Sequence, residues 1–100
     1  MTIKRYTPKE VEHILKINVD IRAEYNEYKD SKLVDCSIGS ANIHNLLDER
    51  GLPTDKMVVQ FISDEPTEYT EYIDEEDITI YITLIADSLE EAVVIACLEV

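Results

Sequence analysis

One hundred residues with 45% apolar side chains suffice for one compact domain. Only two glycines and three prolines exclude a linker, a collagen-like repeat or a low-complexity chain. Nine Lys/Arg against twenty-two Asp/Glu leave a net charge of −13, which argues against direct gripping of phosphate backbones or anionic lipid, since both need clustered bases.

Thr7-Pro8-Lys9-Glu10 predicts a helix start, with Thr7 as N-cap, Pro8 at the first helical position and Glu10 completing a capping box. Val11, Ile14 and Leu15 supply its apolar stripe. From Leu15 the period changes to two: Leu15, Ile17, Val19, Ile21, Ala23 and Tyr25 alternate with polar residues, which predicts a long, half-buried strand. Val34, Cys36 and Ile38 extend the alternation beyond a polar turn at Asp30-Ser31, so a hairpin is expected. Ser40 is then read as the cap of a second helix through Ile43, Leu46 and Leu47, stopping at Gly51 with Pro53 beyond. Met57–Ile62 and Ile78–Ala86 read as strands, the second a central one because it is rich in β-branched and aromatic residues. Ser88-Leu89-Glu90-Glu91 is a further capping box, opening a helix whose body, Ala92–Leu98, is apolar almost all round. That helix is expected to bury Val93, Ala96 and Cys97 against the sheet. Its other apolar face (Val94, Ile95, Leu98) needs cover from the core or from a second copy of the chain, a possible homodimer. The order of elements predicts a single α+β domain spanning residues 1–100, with a mainly antiparallel sheet of four or five strands and two or three helices.

Charge divides the chain at Lys56, its last base. Residues 1–56 carry nine Lys/Arg and ten Asp/Glu, a balance of −1; residues 57–100 carry twelve acids and no base, a balance of −12. Asp64, Glu65, Glu68, Glu71, Asp74, Glu75, Glu76 and Asp77 concentrate eight acids in fourteen positions, interleaved with Tyr69, Tyr72 and Ile73. The aromatic residues argue against a plain solvated tail. As a helix, this segment would place Glu68, Glu71 and Glu75 on one face; as a strand, its acids would scatter over both. Glu24–Tyr28 and Glu68–Tyr72 share the pattern E-Y-x-E-Y, which chance in a Glu- and Tyr-rich chain explains better than duplication.

Catalytic chemistry is hard to assemble. His13 and His44 are the only histidines, and pairing His44 with Cys36 or Ser40 lacks any supporting motif. No C-x-x-C or H-x-x-x-H spacing suggests zinc. Asp74–Asp77 supply hard oxygen ligands for calcium but lack the EF-hand spacing. Gly39-Ser40-Ala41 resembles a phosphate-binding turn only in outline, with no base between Lys32 and Arg50. The expectation is therefore a non-enzymatic protein with no cofactor and no metal. Cys36 and Cys97 are expected as free thiols in a cytoplasm, the producer's own or a host's, because Met1–Tyr6 leads into no apolar signal region. The longest apolar runs fall short of the roughly 20 residues of a membrane span.

Carboxylates can stand in for phosphates toward Lys and Arg, and tyrosine faces can stack on arginine as bases do. The partner-binding candidates are thus Asp64, Glu65, Glu68, Tyr69, Glu71, Tyr72, Asp74, Glu75, Glu76 and Asp77. Their expected target is the basic groove of a nucleic-acid-binding protein or nuclease. In size, acidity and lack of catalytic residues the chain is similar to the small inhibitors that phages use against restriction or CRISPR nucleases; the likeness is one of type and rests on no motif. The alternative is a small structural or adaptor subunit acting through the apolar face of Ala92–Leu98.

Overall fold

The computed structural model describes residues 2–100. Three helices, α1 (Pro8–Ile17), α2 (Val19–Tyr28) and α3 (Leu89–Leu98), accompany five strands, β1 (Asp35–Ile38), β2 (Ala41–Leu47), β3 (Pro53–Ser63), β4 (Thr70–Asp74) and β5 (Thr79–Ala86). The strands form one antiparallel sheet in the order β1-β2-β3-β5-β4. The α+β class is therefore as the sequence predicts. The final hairpin inserts β5 beside β3, so the acidic segment becomes the edge strand β4.

All three helices lie on one side of the sheet. Along β5, Ile80, Ile82, Leu84 and Ala86 point inward while Thr79, Tyr81, Thr83 and Ile85 point away. Met57, Val59 and Phe61 of β3 pair with Ala86, Leu84 and Ile82 on the inner face. α3 packs on this face and is itself overlaid by α1 and α2, so Val93, Val94 and Ile95 are wholly buried. A helix apolar all round needs cover all round. The core supplies that cover, and only Leu98, at 47% exposed, reaches solvent appreciably.

Two predicted elements are corrected. The period-two stretch Leu15–Tyr25 is two helices meeting without a loop. Asn18 ends α1 by donating its amide to the Ile14 carbonyl, and starts α2 by accepting the Ile21 amide on its side chain. Arg22 donates back to the Leu15 and Lys16 carbonyls at the end of α1. Ile17 and Val19, which complete the apparent alternation, are about two-thirds exposed; the buried set is Val11 and Ile21, with Tyr25 and Tyr28 packed beside them at helical spacing. The helix expected from Ser40 to Gly51 is instead β2 and its turn. Ala41, Ile43 and Asn45 alternate inward, and the polarity of Asn45 hides that period. Asn45 is nonetheless 6% exposed: its Oδ1 accepts from the Val34 amide and its Nδ2 donates to the Thr54 carbonyl, tying the entry of β1 to β3. Gly51, at φ +80°, serves the β2–β3 turn rather than a helix end. The Asp48 side chain organises that turn by accepting the Arg50 and Leu52 amides.

Among the described residues no helix is long and apolar enough to cross a membrane.

Candidate partner-binding site

The twelve acids of residues 57–100 fall into two groups. Five of them bond side chains or amides of the first half of the chain. The Ile3 amide donates to Glu68 Oε1 at 2.9 Å and the Lys4 amide to Glu99 Oε1 at 2.9 Å. Arg5 grips Glu91 with Nε and Nη2, at 3.0 and 2.9 Å, while the Tyr6 and Asp87 amides also donate to it. Tyr25 donates to Glu90 at 2.6 Å, and Arg5 and Lys56 both face Asp87. These contacts strap the N-terminal segment across α3.

Glu91 is 2% exposed yet ionised. Burial pushes its carboxyl up, but the Arg5 hydrogen bonds and the Asp87 and Tyr6 amides outweigh burial and hold it below the usual carboxylate range. The Tyr6 phenol is pushed up to about 12 by burial and its bond to Glu99; Tyr25 reaches about 12 through its bond to Glu90 and burial.

The other seven acids are Asp64, Glu65, Glu71, Asp74, Glu75, Glu76 and Asp77. Among the described residues none of them forms an ion pair. Asp74 is half-buried and the other six are exposed. A register shift in β4 between Thr70 and Tyr72 turns both Glu71 and Tyr72 to the face away from the helices. There Thr83 Oγ1 donates to Glu71 Oε2 at 2.7 Å, and the Tyr72 ring stacks on Tyr81 with centroids 4.4 Å apart and planes 12° from parallel. Asp74 accepts the Glu76 amide and so shapes the turn Glu75–Ile78. Ser63 and Asp74 pair with the adjacent residues Ile80 and Thr79, so Asp64-Glu65 leaves the sheet at the same end as this acidic turn.

The segment predicted to bind a partner is thus split by the fold. Its strand form separates Glu68, Glu71 and Glu75, which a helix would have aligned. Glu68 bonds the N-terminal segment, and Tyr69 packs against the core with Arg5 at 3.5 Å from its hydroxyl. Tyr81, outside the expected set, joins the site through its stack with Tyr72. Its signal was the alternation of Thr79, Tyr81 and Thr83 with Ile80, Ile82 and Leu84. The E-Y-x-E-Y echo is no repeat, since one copy lies in α2 and the other runs from a loop into β4.

Other candidate chemistry does not assemble. Cys36 pairs with Ile43 on the inner face, whereas His44 pairs with Val58 on the outer one, so the two point to opposite sides of the sheet. Ser40 lies in the β1–β2 turn, four residues along an extended chain from His44. Gly39-Ser40-Ala41 is accordingly a hairpin turn with Gly39 at φ +58°, not a helix entry. Among the described residues no three His, Cys, Asp or Glu side chains converge as a metal site. Cys36 and Cys97 are free, half-buried thiols, raised in pKa chiefly by burial. Comparison with family models, curated proteins and solved structures finds no match to this chain.

Proposed function

We propose that this chain is a small acidic protein-binding domain that occupies the basic groove of a nucleic-acid-binding protein or nuclease in place of nucleic acid. The observation that carries this reading is the set of seven acids that form no ion pair among the described residues, held on a folded edge strand, its turn and the end of β3. A net charge magnitude of roughly 2–8 suffices for solubility, so −12 in residues 57–100 is beyond that need. Along β4 the chain rises about 3.4 Å per residue, comparable to the rise per phosphate along one strand of duplex DNA. The exposed Tyr72 ring adds a stacking surface of the kind a base presents. The adaptor alternative loses its expected surface, because α1 and α2 cover Val94 and Ile95.

The test is competition. A partner recovered from nuclease-rich lysate at low salt is challenged with an oligonucleotide, against wild type and against the fourfold variant Glu71→Lys, Asp74→Lys, Glu75→Lys, Asp77→Lys. Mutual exclusion with the oligonucleotide, steep loss of affinity with salt and failure of the fourfold variant support the reading. Salt-insensitive binding that tolerates the four reversals overturns it.

A further inference from the structure

With every helix on one side, no helix covers the other face of the sheet; Val58 is buried there at 7% exposed, and the face opens toward β4. Across β3, β5 and β4 it carries three cross-strand rows: Val58 beside Ile85, Gln60 beside Thr83 and Glu71, and Ile62 beside Tyr81 and Tyr72. Water-facing positions of an antiparallel sheet are ordinarily polar, yet Ile62 is 61% exposed, Tyr72 54% and Ile85 36%. Tyr72 lies on the edge strand, so the ring face not stacked on Tyr81 is open. Glu71 adjoins it and Asp74 follows two residues on. Lys56, the one base of these three strands, lies on β3 beyond Val58 and faces Asp87, so the three rows themselves contain no Lys or Arg.

We propose that this open face docks an arginine-bearing segment of a protein partner, with a guanidinium stacked on Tyr72 between Glu71 and Asp74. The proposal rests on the proposed function and deepens it, adding the preference for arginine over lysine and the place of the contact on the open sheet face. Arginine is favoured over lysine because its planar, weakly hydrated guanidinium lies flat on a ring while its in-plane N–H fork bonds a carboxylate bidentately, whereas an ammonium, as Lys4 shows over Tyr6 beside Glu10, meets both only as a point charge. A second copy is disfavoured, since pairing two such faces would bring Glu71, Asp74 and the acidic turns together with no cation between them.

Octa-arginine and octa-lysine peptides, titrated into the full chain at matched salt and followed by calorimetry and amide NMR, test this. Octa-arginine is expected to bind about 2-fold tighter, less than one whole exposed cation–π contact because lysine also meets a ring face, with shifts centred on Ile62, Glu71, Tyr72 and Tyr81. Tyr72→Leu should reduce the arginine affinity to that of lysine, whereas Glu71→Gln with Asp74→Asn should weaken both alike. Equal affinities in the wild type, or shifts centred instead on the cleft between Tyr6, Leu15 and Tyr25, overturn the proposal while leaving charge mimicry standing. Failure of both peptides to bind at low salt overturns charge mimicry as well. Sedimentation as a dimer that Tyr72→Lys dissolves assigns the face to a second copy and also overturns it.

Discussion

Removing the Arg5 side chain exposes how much of the fold depends on one buried carboxylate. In Arg5→Met, Glu91 keeps the Tyr6 and Asp87 amides but loses both guanidinium bonds and, among the described residues, its one ion-pair partner. Breaking a buried pair by removing one partner costs about 3–5 kcal/mol. The Arg5 side chain is 33% exposed and water can partly replace it, so the lower end, about 3 kcal/mol, is expected. That is a large share of the roughly 5–15 kcal/mol of a domain this size. At about 4–8 °C per kcal/mol it corresponds to a Tm lower by roughly 12–24 °C. Urea unfolding followed by circular dichroism measures the loss directly. Adding Glu91→Gln should restore only part of it: the buried charge is removed, but the Tyr6 and Asp87 amides donate to different carboxylate oxygens, and the single oxygen of an amide accepts from only one of them. The pH profile supplies a second readout. Glu91 titrates lower when folded than its ordinary 4.5, so it stabilises the fold above that pH, and this stability is lost as pH falls through the depressed value. In Arg5→Met that acid-side loss should flatten. A cost under about 1 kcal/mol, or an unchanged acid profile, would refute the reasoning.

Tyr6 and Tyr25 titrate near 12 when folded against 10 ordinarily; their contribution is full below pH 10 and lost as pH rises toward 12, so alkaline unfolding should begin in that window and start lower in Tyr25→Phe. Ile78 sits at φ +52° and 80% exposed, a conformation costly for a β-branched residue. Ile78→Asn should therefore raise stability by about 1 kcal/mol in the same urea assay, and a loss would show that the Ile78 side chain contributes something its exposure conceals. Asn45→Ala removes the partners of two backbone groups and should cost about 2–3 kcal/mol, with faster hydrogen exchange at the Val34 amide as the local sign.

Local signals succeeded where one residue decides a boundary. Thr7 and Ser88 both act as N-caps, accepting from the Glu10 and Glu91 amides, but only Thr7 forms the full capping box; at Ser88 the Glu91 carboxylate turns to Arg5 and to the Tyr6 and Asp87 amides instead. The core strands were legible because their apolar residues have no competing period. The failures share one cause: a polar residue doing interior work looked like a surface residue. Asn18, capping between two helices, fell on the wet side of an apparent alternation, and Asn45, buried and fully bonded, concealed a strand. In the candidate site, Glu68 and Tyr69 belong by sequence to the acidic run, but tertiary contacts with Ile3 and Arg5 claim them. No local pattern could separate them from Glu71 and Tyr72, because the bulge that turns the latter outward depends on pairing with β5.

The partition of charge explains how a domain at −13 can remain compact. Of the twelve acids after Lys56, Glu68, Asp87, Glu90, Glu91 and Glu99 are placed where the first half of the chain offers an amide, a phenol or a cation. Their repulsion is offset locally, and they fasten the N-terminal segment over α3 as they do so. The seven others are displaced to the edge strand, its turn and the end of β3, where water screens them and the helices are remote. Self-repulsion is thereby confined to one rim of the sheet. A fold selected for stability alone would gain from a lysine anywhere along that rim, since opposite-charge cross-strand pairs contribute roughly 0.2–1 kcal/mol each. The sequence offers none across forty-four residues. An acidic rim left uncompensated beside an exposed tyrosine stack is what a basic partner would require.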